Sequence, residues 1–260
     1  MKRILPATTV SAILASLVLS ACGGGGDSGT PATKPLALSM YGAPIISASS
    51  GAVARAQGVQ GSQSMADAEA TAQALKRAIE ANGLPVTVTP RVMDGTTLHQ
   101  IVMGENNGLP PTPDQFKTDP SEWMIVNFQL DDMVSRADSP GQGEAAEQFA
   151  RDLAVFVQRA AVAGKRVSAV MPMMTCDAPT GFTAANALIA ALTMAANNSS
   201  LGIVGGIGSP LCDVDRDGKV TPGIDFEHLG ADLRTPDAYL LNEQIQSIAN
   251  AIAPKPAATK

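Results

Sequence analysis

The chain has 260 residues and a formal net charge of −6, with 45% apolar, 16% charged and 3% aromatic residues. The acidic balance argues against nucleic acid or anionic headgroups as partners of the folded body. So few aromatics argue against an extended sugar-stacking platform, and two histidines are too few for an ordinary zinc centre.

Lys2 and Arg3 give a short positive start, followed by an apolar stretch over 10–19 interrupted only by small residues. This is the layout of a secretory signal, too short and too lightly flanked to span a bilayer. It ends in Leu19-Ser20-Ala21-Cys22, which resembles the lipobox of bacterial lipoproteins. The resemblance implies cleavage after residue 21, a diacylglycerol on the Cys22 sulfur and acylation of the new amino group. Several acyl chains hold a protein where one would not. Gly23 rather than an aspartate after the cysteine implies the outer membrane; a periplasm-facing body is the expectation, although the sequence itself does not encode the face. Residues 22–35 then read as a flexible Gly/Ser/Thr/Pro tether, and 254–260 as a short polar tail.

With Cys22 lipidated, Cys176 and Cys212 remain as an even pair in an oxidising compartment, and a disulfide between them is expected. Two free thiols, or a metal site short of ligands, are the other readings.

Residues 36–253 suit one α/β domain, or two small ones. A first strand is expected over 36–41 (LALSMY), running into the turn at Gly42-Ala43-Pro44. A helix is expected over Met65–Ala81, where Leu75 and Ile79 share a face and Asn82-Gly83 ends the element. The alternating run 86–92 predicts a strand that Pro90 confines to an edge or ends early. A short helix after Gly95 carries His99, read as structural. The continuous apolar run 123–128 (WMIVNF) predicts a central parallel strand. A helix over 144–163, a strand over 167–171, a helix over 183–196 and a strand over 201–204 follow. Thr235-Pro236 makes a good cap and first turn for a last helix to about 253. Alternation of this kind predicts a three-layer α/β/α domain on a five-stranded parallel sheet. Ligands bind beyond the carboxyl ends of such strands.

Asp225-Phe226-Glu227-His228 stands just ahead of the last helix. A carboxylate that accepts from one imidazole nitrogen fixes the tautomer and frees the other as a base. At this point the chain resembles the SGNH, or GDSL, hydrolases, a family of esterases and deacetylases with a flavodoxin-like architecture. The resemblance covers residues 36–253 in element order, and Ala238-Tyr239 fits it as well. It implies that His228 is the base and Asp225 its orienting acid. The family's Gly-Asp-Ser-Ile block falls on Gly42-Ala43-Pro44-Ile45, so Pro44 occupies the place of the nucleophilic serine. The glycine that gives an oxyanion N–H falls at Gly95, within Asp94-Gly95-Thr96-Thr97. The Gly-x-Asn-Asp block falls on Gln129-Leu130-Asp131-Asp132, which puts Asp131 where an asparagine donates to the oxyanion. Proline has no hydroxyl, a carboxylate repels developing negative charge, and one lost oxyanion donor alone costs ~10²–10³ in rate.

Three readings follow from different classes. The first is a degenerate envelope lipoprotein that binds an acyl- or glycan-type ligand with little or no turnover. The second is an active ester hydrolase or deacetylase using a relocated hydroxyl among Ser47, Ser49, Ser50, Thr96 and Thr97. The third is a structural envelope scaffold, in which His228 is a packed or surface histidine. No cofactor is required by any of them. Asp213, Asp215 and Asp217, with Gly218 after them and the Lys219 carbonyl, also have the spacing of a calcium loop. Ile224 stands at the usual twelfth-position acid, so the alternative is a solvated acidic turn, and Asp225 is contested between calcium and His228. Oligomeric state is not legible.

Overall fold

The sheet forms from the segments whose apolar residues serve two cores at once. The computed structural model describes residues 34–46, 65–105, 109–131, 137–172, 184–205, 212–214, 220–222 and 236–254. They lie in the compact unit Lys34–Lys260; the other unit, Met1–Thr33, lies outside the described residues. The strands of the main sheet are β1 (Leu36–Gly42), β2 (Val86–Pro90), β3 (Trp123–Asn127), β4 (Arg166–Val170) and β5 (Gly202–Val204). All neighbours are parallel, in the order β2-β1-β3-β4-β5. The chain reverses its direction of winding between β1 and β3, and a cleft opens at such a switch point.

Side chains alternate between two apolar layers, as the period of a strand requires. Tyr41, Met124, Val126, Val167 and Ala169 face one layer, with α2 (Leu98–Met103), α3 (Gln142–Val162) and α4 (Ala184–Asn197). Leu38, Met40, Ile125, Val170 and Val204 face the other, with α1 (Met65–Ala81) and α5 (Pro236–Ile252). This is the expected three-layer α/β/α arrangement. Apolar residues on both faces of β3 explain why its sequence reads as an unbroken hydrophobic run.

Most expected elements stand within two residues of their predicted ends. α3 begins at Gln142, two residues ahead of the predicted start, and Gln142 is buried. Pro90 closes β2 as an edge strand, yet the pairing with β1 runs on past it. Arg91 N donates to Met40 O at 2.9 Å and Gly42 N to Val92 O at 2.8 Å. The nitrogen of Pro90 falls on the open edge of β2, away from β1, so the proline costs this ladder no donor and does not end it.

Between α2 and β3, residues 109–121 lie over the β1 face in place of a long helix, held by polar contacts. The Asp119 carboxylate accepts from Tyr41 Oη at 2.6 Å, Ser39 Oγ at 3.0 Å and Ser121 N at 2.8 Å. Arg91 Nε lies 3.7 Å from the same group, whose side chain is only 6% exposed. Burial alone would push this carboxyl up; the hydrogen bonds from Tyr41, Ser121 and Ser39 outweigh it and hold Asp119 below the usual carboxylate range. Burial first, then Asp119 itself, drives the Tyr41 phenol far above its ordinary value. Lys165 Nζ adds bonds to the Asp119 and Ser121 carbonyls, the second at 2.7 Å. The Tyr41 ring packs edge-on against Phe116 and Phe156 at 5.9 and 5.5 Å.

A feature not expected from the sequence is a small antiparallel hairpin of β6 (Cys212–Val214) and β7 (Val220–Pro222). Its strands are three residues each, too short for periodicity to reveal.

Candidate functional site

The carboxyl ends of β1, β2 and β3 meet at the switch point, and the chain leaves β1 there through a fixed elbow. Gly42 has φ +91, and a Cβ on it would lie 2.6 Å from the Asn127 carbonyl carbon and oxygen. Glycine is therefore required for both the backbone sign and the close approach. Ala43 is clamped from both sides: its N–H donates to Asn127 O at 2.7 Å, and Asn127 Nδ2 donates to Ala43 O at 2.8 Å. Gln129 Nε2 in turn donates to Asn127 Oδ1 at 3.2 Å. Asn127 is only 7% exposed, so each of these bonds forms out of competition with water.

The elbow delivers Pro44, which is buried, directly after this clamp. The next two amides, Ile45 N and Ile46 N, donate to Thr71 Oγ1 of α1 at 3.1 and 3.0 Å. The segment 42–46 is thus held on both sides, and it offers no hydroxyl at the position where the family resemblance places a nucleophile.

The loop after β2 carries Gly95 with φ +94 and open space around its Cβ position. Asp94 Oδ1 accepts from Thr96 N at 3.1 Å and Thr96 Oγ1 at 2.6 Å. The Thr96 hydroxyl is the first cause that lowers the Asp94 carboxyl below its ordinary value. Thr97 caps α2: its hydroxyl accepts from Gln100 N while Gln100 Oε1 accepts from Thr97 N at 2.9 Å. Both threonines considered as relocated nucleophiles are therefore engaged in shaping this loop. Asp131, four residues beyond Asn127, is exposed.

At the ends of β4 and β5, Gln244 of α5 reaches between the strands. Its Nε2 donates to Met171 O at 2.7 Å, and it lies where a Cβ on Gly205 would stand. The structure so brings Gly42 and Ala43 against Asn127, with Pro44 next in the chain and the Gly95 loop after the neighbouring strand. Asn127 is a site residue that sequence reasoning missed. It sits at the end of a run read as uniformly apolar, and its single polar side chain at the switch point was the available signal.

Cys212 and Asp213 lie on β6, with Cys212 opposite Pro222 and Asp213 opposite Thr221. Asp215, Asp217, Lys219, Asp225, His228, Cys176 and Cys22 lie outside the described residues, as do Ser47, Ser49, Ser50 and Asp132. Among the described residues, no group of three or more His, Cys, Asp or Glu could hold a metal ion, and no helix is long and apolar enough to cross a membrane.

No family model matches the sequence, and no curated protein matches it. Solved structures similar in architecture include a provisionally assigned SGNH hydrolase from Slackia heliotrinireducens, at 13% identity and TM-score 0.48, covering 84% of this chain and 99% of that one. A carbohydrate acetylesterase from Sinorhizobium meliloti is similar at 12% identity and TM-score 0.42, covering 84% and 98%. A protein from Arabidopsis thaliana is similar at 9% identity and TM-score 0.43, covering 84% and 97%.

Proposed function

We propose that the chain is an outer-membrane lipoprotein, anchored through Cys22 and facing the periplasm, whose SGNH-like domain binds an acyl- or glycan-bearing ligand with little or no turnover. The observation that carries this reading is the elbow after β1. Gly42 and Ala43 are locked onto Asn127, and what they present is buried Pro44 rather than a hydroxyl. A nucleophile must lie within hydrogen-bond reach of its base, and a proline at that position removes it without disturbing the surrounding framework. The exposed carboxylate of Asp131 acts in the same direction, because it disfavours an oxyanion. His228 and Asp225 then serve to bind a polar group of the ligand.

The acidic loop between β6 and β7 is proposed to hold calcium through Asp213, Asp215, Asp217 and the Lys219 carbonyl. The antiparallel pairing of Val214 with Val220 brings the two ends of this segment together, which supports the reading. Cys176 and Cys212 are proposed to form a disulfide, which would staple the segment after β4 to this hairpin.

Native mass spectrometry of the purified protein with N-acetylated chitotriose tests the ligand reading. The expected result is a non-covalent adduct whose ligand mass is unchanged after hours of incubation. Deacetylated or cleaved ligand would show a working hydrolase, and neither adduct nor turnover would favour the scaffold reading.

A further inference from the structure

A chain of hydrogen-bonded side chains joins α2 to α3, separate from the elbow. His99 Nδ1 lies 2.9 Å from Asp152 Oδ2, and the two side chains are 52% and 9% exposed. The other carboxylate oxygen, Oδ1, accepts from Gln148 Nε2 at 3.0 Å. Gln148 Oε1 accepts from Arg151 Nη2 at 2.9 Å. A guanidinium can only donate, so the amide of Gln148 has one orientation, with oxygen toward Arg151 and nitrogen toward Asp152. A carboxylate can only accept, so a neutral His99 carries its hydrogen on Nδ1. The lone pair is left on Nε2, which meets no hydrogen-bond partner among the described residues. The polarity of the whole relay, from Arg151 to His99, is fixed by its donors.

We propose that His99 Nε2 is a surface nucleophile toward activated acyl groups, with Asp152 as its positioning residue. The lone pair of Nε2 attacks the carbonyl carbon of an aryl ester, an N–C bond forms, and the C–O bond breaks as the aryl oxide leaves with its electron pair. Asp152 stabilises the positive charge on the acylated ring through Nδ1–H. Water then adds to the acyl carbon and gives one proton to solvent, the N–C bond breaks with its pair returning to Nε2, and the product leaves as the carboxylic acid, which ionises by giving its remaining proton to solvent. This activity is independent of the ligand proposed for the elbow and needs no hydroxyl nucleophile.

The test is hydrolysis of 4-nitrophenyl acetate by the full chain, with acid-quenched peptide mapping. The expected result is an acetyl group on His99 and a rate that falls at least fivefold in His99→Gln, which retains a donor to Asp152. Asp152→Asn supplies a readout that a merely structural role would not move. Gln148 still presents its nitrogen, so the new amide turns its oxygen to Gln148 and its nitrogen to His99. The ring tautomer therefore inverts, Nε2 becomes the protonated nitrogen, and ¹⁵N spectra of the ring exchange their two signals as the rate falls. A His99→Gln rate within fivefold of the unsubstituted protein, an unchanged tautomer in Asp152→Asn, or a rate abolished by a fluorophosphonate would each overturn the proposal. Melting curves of both variants confirm that the comparison is made on folded protein.

Discussion

Replacing Asp119 by alanine removes the carboxylate that ties residues 109–121 to Ser39 and Tyr41 of β1. Tyr41 Oη and Ser39 Oγ lose their partner, and Ser39 is 1% exposed and Tyr41 2%, so water cannot replace it without opening the layer. Hydrogen bonds to a charged group contribute ~1.5–3 kcal/mol each and an orphaned buried donor costs ~1–3 kcal/mol, and these are not additive. The expected loss for Asp119→Ala is about 3–5 kcal/mol, the range for stranding partners of a buried charge. For a domain of this size that lowers the melting temperature by on the order of 10 °C. Asp119→Asn should lose less, roughly 1–2 kcal/mol, because its oxygen can serve Ser39 and Ser121 while the Tyr41 hydroxyl turns to accept from the amide. The sign with pH follows from the depressed carboxyl of Asp119. Its contribution is fully present above the unfolded carboxylate value and is lost as pH falls through the lower folded value. The difference between the unsubstituted protein and Asp119→Asn should therefore narrow in acid. Urea denaturation of the three proteins from neutral pH down to pH 3 is the assay. An Asp119→Ala protein within 1 kcal/mol of the original would refute the clamp.

The elbow makes a paired prediction. Gly42→Ala should cost about 2–4 kcal/mol, since it adds a clash to an unfavourable φ, whereas Gly95→Ala has only the backbone term of roughly 1–2 kcal/mol; chemical denaturation resolves the two. Asn127→Leu leaves the Ala43 carbonyl without its donor and should cost about 1–3 kcal/mol, read in the same way. Calcium at a hundredfold excess over its dissociation constant should stabilise the protein by ~2.7 kcal/mol. A melting temperature indifferent to chelator would count against the acidic loop as a site. Cys22→Ser should abolish metabolic incorporation of labelled palmitate and release the protein from membranes; retained labelling would place the lipid elsewhere.

The sheet was legible because its central strands β1, β3 and β4 are buried on both faces and its helices carry apolar residues at helical spacing. Leu75 and Ile79 marked the inward face of α1, and both are fully buried. The edge position of β2 was readable from Pro90, although the ladder continues to Val92 through Arg91 N and Gly42 N. The hairpin β6–β7 was not, because three-residue strands carry no period and their pairing is set by contacts distant in kind from local propensity. At the site, the elbow's place after β1 could be anticipated, but the clamp on Ala43 could not. Asn127 is one polar residue at the end of an apolar run, and only the tertiary pairing of β1 with β3 brings its amide to the Ala43 carbonyl. The Asp119 clamp was equally hidden, since Ser39, Tyr41 and Asp119 are joined across 78–80 residues of chain. A structural role for His99, the expectation from its place in a short helix, gives no sign of the bond to Asp152 across 53 residues of chain or of the relay through Gln148 and Arg151.

Whether the elbow has a nucleophile to serve is decided by intact-mass analysis of the purified protein after exposure to a fluorophosphonate that traps activated serines and threonines. With Pro44 at that position, the mass should stay unmodified at every time point. A stoichiometric adduct on any hydroxyl, lost in His228→Ala, would contradict it and establish a working hydrolase with a relocated nucleophile.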